Sequence, residues 1–386
     1  MNRDSLAAQY RELLFNGIIP FWMSHGVDRE YGGVLSSMTE EGEVLSSDKF
    51  IWSQARFVWT CSALYNRVER RSEFLDRAKS TIDFLLRHGR DDQGRWVYQT
   101  SREGRILEGA TSIYSDCFVV YGLNEYFRAT GDSNLLALAR QIFEHIRLRI
   151  ERPDFSETAP YALPPNRKNH GVPMVLTEVS NELAQTTRDP AIEDAAKDYA
   201  ARVMNRFVRP DLQCLVEFLD CEYRPLPAPE GTFVMPGHAI ESMWFILHWA
   251  RRVGEEGIMR RAIEVIRWHV ERGWDPVHGG LFLGVDAEGR TPFQAHSEKK
   301  LWWPHTEALY ALLLARALSG EDWCEKWYDR IHDWSFAHFS MPDVGEWRQR
   351  LDRQGCPITE LIALPVKDPF HLPRAVILIL ELLESV

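Results

Sequence analysis

The sequence predicts an all-α protein: an (α/α)6 barrel with short β-hairpins at one mouth. Three observations predict it. Strongly apolar helical segments begin near residues 50, 112, 171, 236, 301 and 369, a period of about 60–68 residues. Each alternates with a more polar, amphipathic segment. A hairpin-like insert with Gly at its turns precedes most of the apolar ones. Repeats of this kind must bury their apolar faces against neighbours, and six helix pairs closing on themselves do so with the apolar helices inside. The alternative is an open helical solenoid, which does not need inner helices so apolar, with polar residues at only one end. No stretch resembles a linker, so residues 1–386 are expected to form a single domain.

Taken in order, residues 5–24 read as an amphipathic helix. Asp28-Arg-Glu-Tyr-Gly-Gly-Val-Leu and Thr39-Glu-Glu-Gly-Glu-Val-Leu form the first hairpin candidate. An apolar helix over about 50–68 carries Trp52, Arg56 and Trp59, and a polar helix over 71–88 follows. The phrase returns at Asp91-Asp-Gln-Gly-Arg-Trp and Arg102-Glu-Gly-Arg, ahead of helices 112–130 and 133–150. An irregular run, Pro153–Arg167, opens into helix 171–187 and its polar partner 190–208. Asp211–Phe218 with Glu222–Leu226 is the next hairpin candidate. Helices starting at 236 and 256 follow, and Asp275-Pro-Val-His-Gly-Gly repeats the first hairpin closely. Lys300-Leu-Trp-Trp-Pro-His-Thr-Glu opens the fifth apolar helix, before helix 322–339. Phe370-His-Leu-Pro-Arg opens the sixth.

Composition narrows the class. Hydrophobic content of 45% and charged content of 26% suit a globular protein. A net charge of -11 argues against nucleic acid, which needs clustered Lys and Arg. No apolar run approaches membrane-spanning length, and the N-terminus shows no signal-peptide pattern. The six cysteines form no Cys-x-x-Cys pair, which reads as reduced, buried thiols in a cytoplasmic protein.

The chemistry gathers at one end of the apolar helices. Pro236 suits a first helical turn, and His238 and Glu241 share a face just behind it. Across the repeats the helix starts carry Arg56, Tyr114 with Asp116, His170 with Met174, His238 with Glu241, His305 with Glu307, and His371 with Arg374. One such histidine is most simply a hydrogen-bonded core residue. Several at equivalent repeat positions indicate a common site, with His238 and His371 foremost. Glu307 is two residues from His305, so the two cannot share one helical face: one serves the site and the other the packing. Trp302 and Trp303 read equally as packing or as a sugar platform. Asp116 reads as a helix-start carboxylate or as a partner of Arg56.

No His-Glu-x-x-His supports a metal, no Gly-x-Gly-x-x-Gly a nicotinamide cofactor, and no Gly-x-Ser-x-Gly a serine nucleophile. Cofactor-free acid/base chemistry remains. Two histidines on opposite sides of a sugar carbon take a proton from one face and return it to the other. A cationic donor such as Arg56 steadies the enolate oxygen. An inverting glycosidase using two of Asp116, Glu241 and Glu307 is the rival, and a non-catalytic sugar-binding module a further one.

These motifs resemble the N-acylglucosamine 2-epimerase family, in the superfamily of cellobiose 2-epimerases and aldose–ketose isomerases. The resemblance rests on Asp48-Lys-Phe-Ile-Trp-Ser-Gln-Ala-Arg56, Tyr114-Ser-Asp-Cys-Phe118, Val172-Pro-Met174, Pro236-Gly-His-Ala-Ile-Glu241, Lys300-Leu-Trp-Trp-Pro-His-Thr-Glu307 and Phe370-His-Leu-Pro-Arg374. It implies an (α/α)6 barrel, a homodimer, a ring-opened sugar and proton transfer at C2 by His238 and His371. Arg56 is then expected at the sugar oxygens, with Tyr114, Asp116, Met174, Glu241, Trp303, His305, Glu307 and Arg374 around it. It implies no metal and no cofactor, with ATP as a possible effector, although no phosphate-cradling Gly-rich loop is present. The Val-Pro-Met and Trp-Trp-Pro-His-Thr-Glu elements resemble the N-acylglucosamine branch. Ala295–Lys299 and Arg348-Gln-Arg350 depart from it, which leaves free mannose or glucose, and a ketose product, as alternatives.

Overall fold

In the computed structural model, which describes residues 2–155, 163, 166–362 and 366–384, helices alternate between an inner and an outer ring. The inner ring is α2 (Ile51–Ala63), α4 (Ile113–Thr130), α6 (Gly171–Thr187), α8 (Pro236–Val253), α10 (Trp302–Ser319) and α12 (His371–Glu384). The outer ring is α1 (Arg3–Glu12), α3 (Ser72–His88), α5 (Ser133–Ile150), α7 (Pro190–Arg202), α9 (Glu256–Gly273) and α11 (Asp322–His338). Each inner helix packs on the next, and α12 returns to α2, so the ring closes as an (α/α)6 barrel. Thr60 of α2 clasps this seam by donating to the Pro369 carbonyl at 2.9 Å.

Local chemistry fixes the helix ends. The side chains of Ser112, Asp132 and Asp189 accept from the first free N–H groups of α4, α5 and α7. Pro236 occupies the first turn of α8, and α4, α8 and α10 end on left-handed Gly131, Gly254 and Gly320. Inner helices are buried almost all round, outer ones along a single stripe such as Leu135, Ala139, Ile142, Phe143 and Ile146 of α5.

Local hairpins close within the inserts, Ser37–Met38 on Val44–Ser46 and Gln99–Thr100 on Ile106–Glu108, and a longer-range pairing is added to them. The extended residues just before an inner helix pair with the insert of the following repeat. Lys49–Phe50 pairs with Gln99–Thr100, and Arg167–Asn169 with Phe218–Asp220. Phe233–Val234 pairs with Val285–Asp286, and Lys300–Leu301 with Arg350–Leu351. Short ladders therefore stitch neighbouring repeats together around the mouth. Asp211–Phe218 does not fold onto Glu222–Leu226, because Phe218–Asp220 is taken by the strand ahead of α6.

Two further expectations are corrected. Polar residues are not confined to one end of the inner helices. Arg67 pairs with Glu125, Arg128 with Glu182, and His248 bridges Glu178 and Tyr310, forming a second polar layer further along the inner helices. The cysteines are unpaired, but Cys221 and Cys356 are exposed while Cys61, Cys117, Cys214 and Cys324 are buried. Among the described residues no helix is long and apolar enough to cross a membrane.

Candidate active site

The starts of α8, α10 and α12 bring two histidines onto one indole. The Trp303 ring, in the first turn of α10, lies 5.1 Å from the His238 ring and 5.7 Å from the His371 ring. Gly237 permits this approach: a Cβ there would stand 2.6 Å from the Trp303 ring. Trp303 thus lies against both imidazoles, and Trp302 stands edge-on to His371 at 6.3 Å.

Each imidazole is oriented through Nδ1 by a carboxylate. His238 Nδ1 faces Glu217 at 3.2 and 3.3 Å from its two oxygens. Burial opposes ionisation of Glu217, yet His170 and His238 together hold its carboxyl well below the usual range. An ionised carboxylate only accepts, so His238 Nδ1 carries hydrogen and Nε2 is the remaining nitrogen. Burial works against the charged form of His238, but Glu217, with Glu241 and Glu307, outweighs it and moves the ring above its ordinary value. His371 differs. Its Nδ1 lies 2.7 Å from Glu307 Oε1, but burial dominates and the Arg56 and Arg374 cations add to it, so its titration falls to about 3. The two imidazoles are thus biased in opposite directions, His238 toward its charged form and His371 toward its neutral one.

Arg374 locks this arrangement. Buried over Trp244, Phe245 and Phe370, it donates to Glu307 Oε1 at 2.8 Å and to Glu241. Glu307 also accepts from Trp244 Nε1 at 2.8 Å. One guanidinium therefore ties α8, α10 and α12 behind the histidines. Arg56 lies among Trp52, Phe118 and Phe370, 4.0 Å from the Phe118 ring centre, with Nη1 3.3 Å from Asp368 Oδ1. Asp368 Oδ2 accepts the His371 backbone N–H at 2.7 Å, capping α12.

Other expected site residues are placed as follows. Tyr114 reaches the start of α6, where a Cβ on Gly171 would meet its hydroxyl at 2.5 Å, and Met174 is buried in that first turn. Asp116 does not meet Arg56. It pairs with Arg149 of α5 at 3.2 Å and lines a groove against that outer helix with Leu138, Ile142 and His145. The position is one step off the lumen face of α4, which the bare sequence does not reveal. His305 is also outside the site. Both ring nitrogens are used by backbone: Nδ1 donates to the Leu301 carbonyl at 2.7 Å and Nε2 accepts from Leu281 N–H at 2.8 Å. Of the His305–Glu307 pair, Glu307 reaches the histidine site and His305 packs. Glu217 and Asp368 went unnoticed in the sequence. Each had a signal: a lone carboxylate inside the apolar run Cys214-Leu-Val-Glu-Phe-Leu, and an Asp-Pro step just ahead of a helix.

The sequence profile of N-acylglucosamine 2-epimerase (GlcNAc 2-epimerase) matches residues 32–374. The chain belongs to that family. It is 31% identical to the Bos taurus N-acylglucosamine 2-epimerase over 378 residues, covering 95% of this chain and 89% of that one. It is 32% identical to the Homo sapiens N-acylglucosamine 2-epimerase, covering 95% and 87%. The solved cellobiose 2-epimerase from Bacillus thermoamylovorans superposes with a TM-score of 0.86 at 20% identity, covering 99% of this chain and all of the other, which establishes a shared fold. The matched residues span the starts of all six inner helices.

Proposed function

We propose that the protein is a sugar 2-epimerase interconverting N-acetylglucosamine and N-acetylmannosamine, acting in the cytoplasm as a homodimer. The observation that carries the reaction is the pair of imidazoles flanking Trp303, each held through Nδ1 by its own carboxylate. With the ring-opened sugar between them, the neutral histidine removes the C2 proton and the protonated one delivers a proton to the opposite face. The electron pair of the broken C–H bond passes into the C1 carbonyl, giving an enediolate-type intermediate. Arg56, with an unpaired, buried Nε and Asp368 beside it, is the donor for the developing oxygen charge. Reversal starts from the opposite protonation state. The choice of an N-acylated sugar rests on the full-length likeness to the bovine and human N-acylglucosamine 2-epimerases.

The glycosidase alternative loses its carboxylates. Asp116 faces Arg149, and Glu241 and Glu307 share Arg374, with donor oxygens within 4.8 Å of one another. An inverting pair needs about 6.5–9.5 Å and a water between its carboxylates. The deciding experiment is proton NMR in D2O with N-acetylmannosamine, N-acetylglucosamine, mannose and glucose in turn. Deuterium at C2 with epimer formation from the N-acetyl sugars is expected. A ketose product, or turnover of the free hexoses only, would replace this reading.

A further inference from the structure

Three clusters among the described residues bring histidine and carboxylate donors within 4.8 Å of one another. Two contain their own cation. Glu178–Glu182–His248 has Arg128 and Arg67 on Glu182, and Glu241–Glu307–His371 has Arg374 on both carboxylates. The third, His170–Glu217–His238, has no Lys or Arg paired to Glu217 among the described residues. Its donors are His170 Nδ1 at 3.2 Å from Glu217 Oε2, and His238 Nδ1 at 3.2 Å from Oε1. His170 is fully buried, yet neither ring nitrogen makes a hydrogen bond, since Nδ1 meets the carboxylate off-axis. A buried imidazole without a hydrogen-bond partner is unusual and asks for an explanation.

We propose that His170, Glu217 and His238 form a three-ligand site for a divalent ion of the zinc class, and that an ion bound there arrests the enzyme. In a tetrahedral zinc site with metal–ligand bonds of about 2.0–2.2 Å, adjacent donors stand roughly 3.3–3.5 Å apart; Glu217 Oε2 stands 3.2 Å from His170 Nδ1 and 3.3 Å from His238 Nδ1, with all three donors within 4.8 Å of one another. Two imidazoles and one carboxylate suit zinc, cobalt or nickel rather than magnesium or calcium. Glu217 backbone groups hold the carboxylate rigidly: its N–H donates to the Phe233 carbonyl at 2.9 Å and its carbonyl accepts from His170 N–H at 3.2 Å. His238 is the part-exposed member, which leaves the fourth position toward the mouth for water. The ion would displace the Nδ1 proton of His238 and leave Nε2 carrying hydrogen without a lone pair. That imidazole can then neither accept a proton nor cycle through its cation. Ion binding stands on the geometry alone, whereas arrest rests on His238 acting as proposed above.

The test uses the full chain after chelator dialysis. Cobalt(II) is titrated in and read by its visible d–d absorption, with zinc displacing it, and turnover of N-acetylmannosamine is followed in parallel. One cobalt per chain is expected, with binding weakened at least tenfold in His170→Asn and in Glu217→Gln, both checked for folding by circular dichroism. Zinc lowers kcat of the parent protein. His170→Asn needs at least tenfold more zinc for half-inhibition, measured against its own metal-free rate, and magnesium has no effect on either. No cobalt bound, or equal binding in both folded variants with the ion on exposed thiols such as Cys221 and Cys356, would overturn the site. Cobalt and zinc bound at the site with unimpeded turnover would leave the site standing and overturn His238 as the acid–base group.

Discussion

Glu217 and Glu307 each engage the Nδ1 of one histidine beside Trp303, leaving Nε2 as its remaining nitrogen. Replacing either His238 or His371 by Asn is expected to lower kcat by about 10²–10⁴-fold, the usual contribution of a positioned acid or base. Each variant retains one base, so each should still exchange C2 hydrogen with D2O from one epimer and not the other. Exchange from both epimers in one variant would show that a single group serves both faces. These histidines, with Glu241, Glu307 and Arg374, were legible in the sequence because ionisable residues at apolar helix starts are rare. Asp116 satisfied the same rule and proved to face outward. Burial pushes its carboxyl up to about 7, against the pull of Arg149. The folded chain therefore keeps this proton up to near pH 7, while the unfolded chain releases it near 3.9. The fold binds more protons between those values, so this group makes stability fall as pH rises from about 4 to 7. Asp116→Asn removes that slope, and urea denaturation of both proteins at pH 5 and pH 8 should show a smaller difference for the variant.

Between the residue and the barrel lies a device that repeats from insert to insert. His305 of α10 accepts the Leu281 N–H, and Gln54 of α2, at the same offset from the preceding buried lysine, accepts the Val34 N–H at 2.8 Å. His269 of α9 accepts the Leu215 N–H at 3.0 Å and donates to its own helix at Val265, just as His305 donates to Leu301. All three side chains anchor the edge of an insert to a helix. A reading by residue type puts His305 in the site, since only the partner strand, distant in sequence, reveals its task. Both histidines must stay neutral to accept. Burial lowers His305 to about 3 and His269 to about 4. Their contribution to stability is complete above the unfolded value near 6.5 and declines progressively as pH falls below it, because the unfolded chain then binds the extra protons. His305→Gln, which restores the acceptor used at Gln54, should fold, turn over substrate, and lose part of this acid sensitivity. His305→Ala leaves the Leu281 N–H unpaired and opens a cavity, and is expected to cost about 2–4 kcal/mol in urea denaturation. Equal stability of the Ala and Gln variants would refute the anchoring role.

At the scale of the whole molecule adjacent repeats are joined by a recurring clasp. Lys49, fully buried, donates to Asp28 at 2.9 Å, to the Gly32 carbonyl at 2.7 Å and to the Arg102 carbonyl at 3.0 Å, while Arg102 returns to Asp28. Lys300 repeats the pattern with Asp275 at 3.3 Å, the Gly279 carbonyl and the Arg353 carbonyl at 2.6 Å, and Arg353 returns to Asp275. In both clasps the lysine and the arginine are 53 residues apart. Each joins an insert, the strand before an inner helix and the next repeat, and so sets where that helix begins. Arg56 and Glu307 stand at the same offset from Lys49 and Lys300, so two equivalent clasps deliver a guanidinium and a histidine-orienting carboxylate to the mouth. The repeat of the Asp-x-x-x-Gly-Gly phrase was visible in the sequence, whereas the lysine, belonging to a different segment, was not recognisable as its partner. Removing the lysine leaves its aspartate on the arginine alone, so the loss falls toward the lower end of the about 3–5 kcal/mol that breaking a buried pair costs. Lys49→Met and Lys300→Met are each expected to lose that amount in urea denaturation. The clasps share no partner, so the double variant should be additive within about 0.5 kcal/mol. Lys300→Met combined with Asp275→Asn acts within one clasp and should fall short of additivity by about 1–3 kcal/mol. Strong coupling between the two lysines instead would mean that the clasps do not act independently.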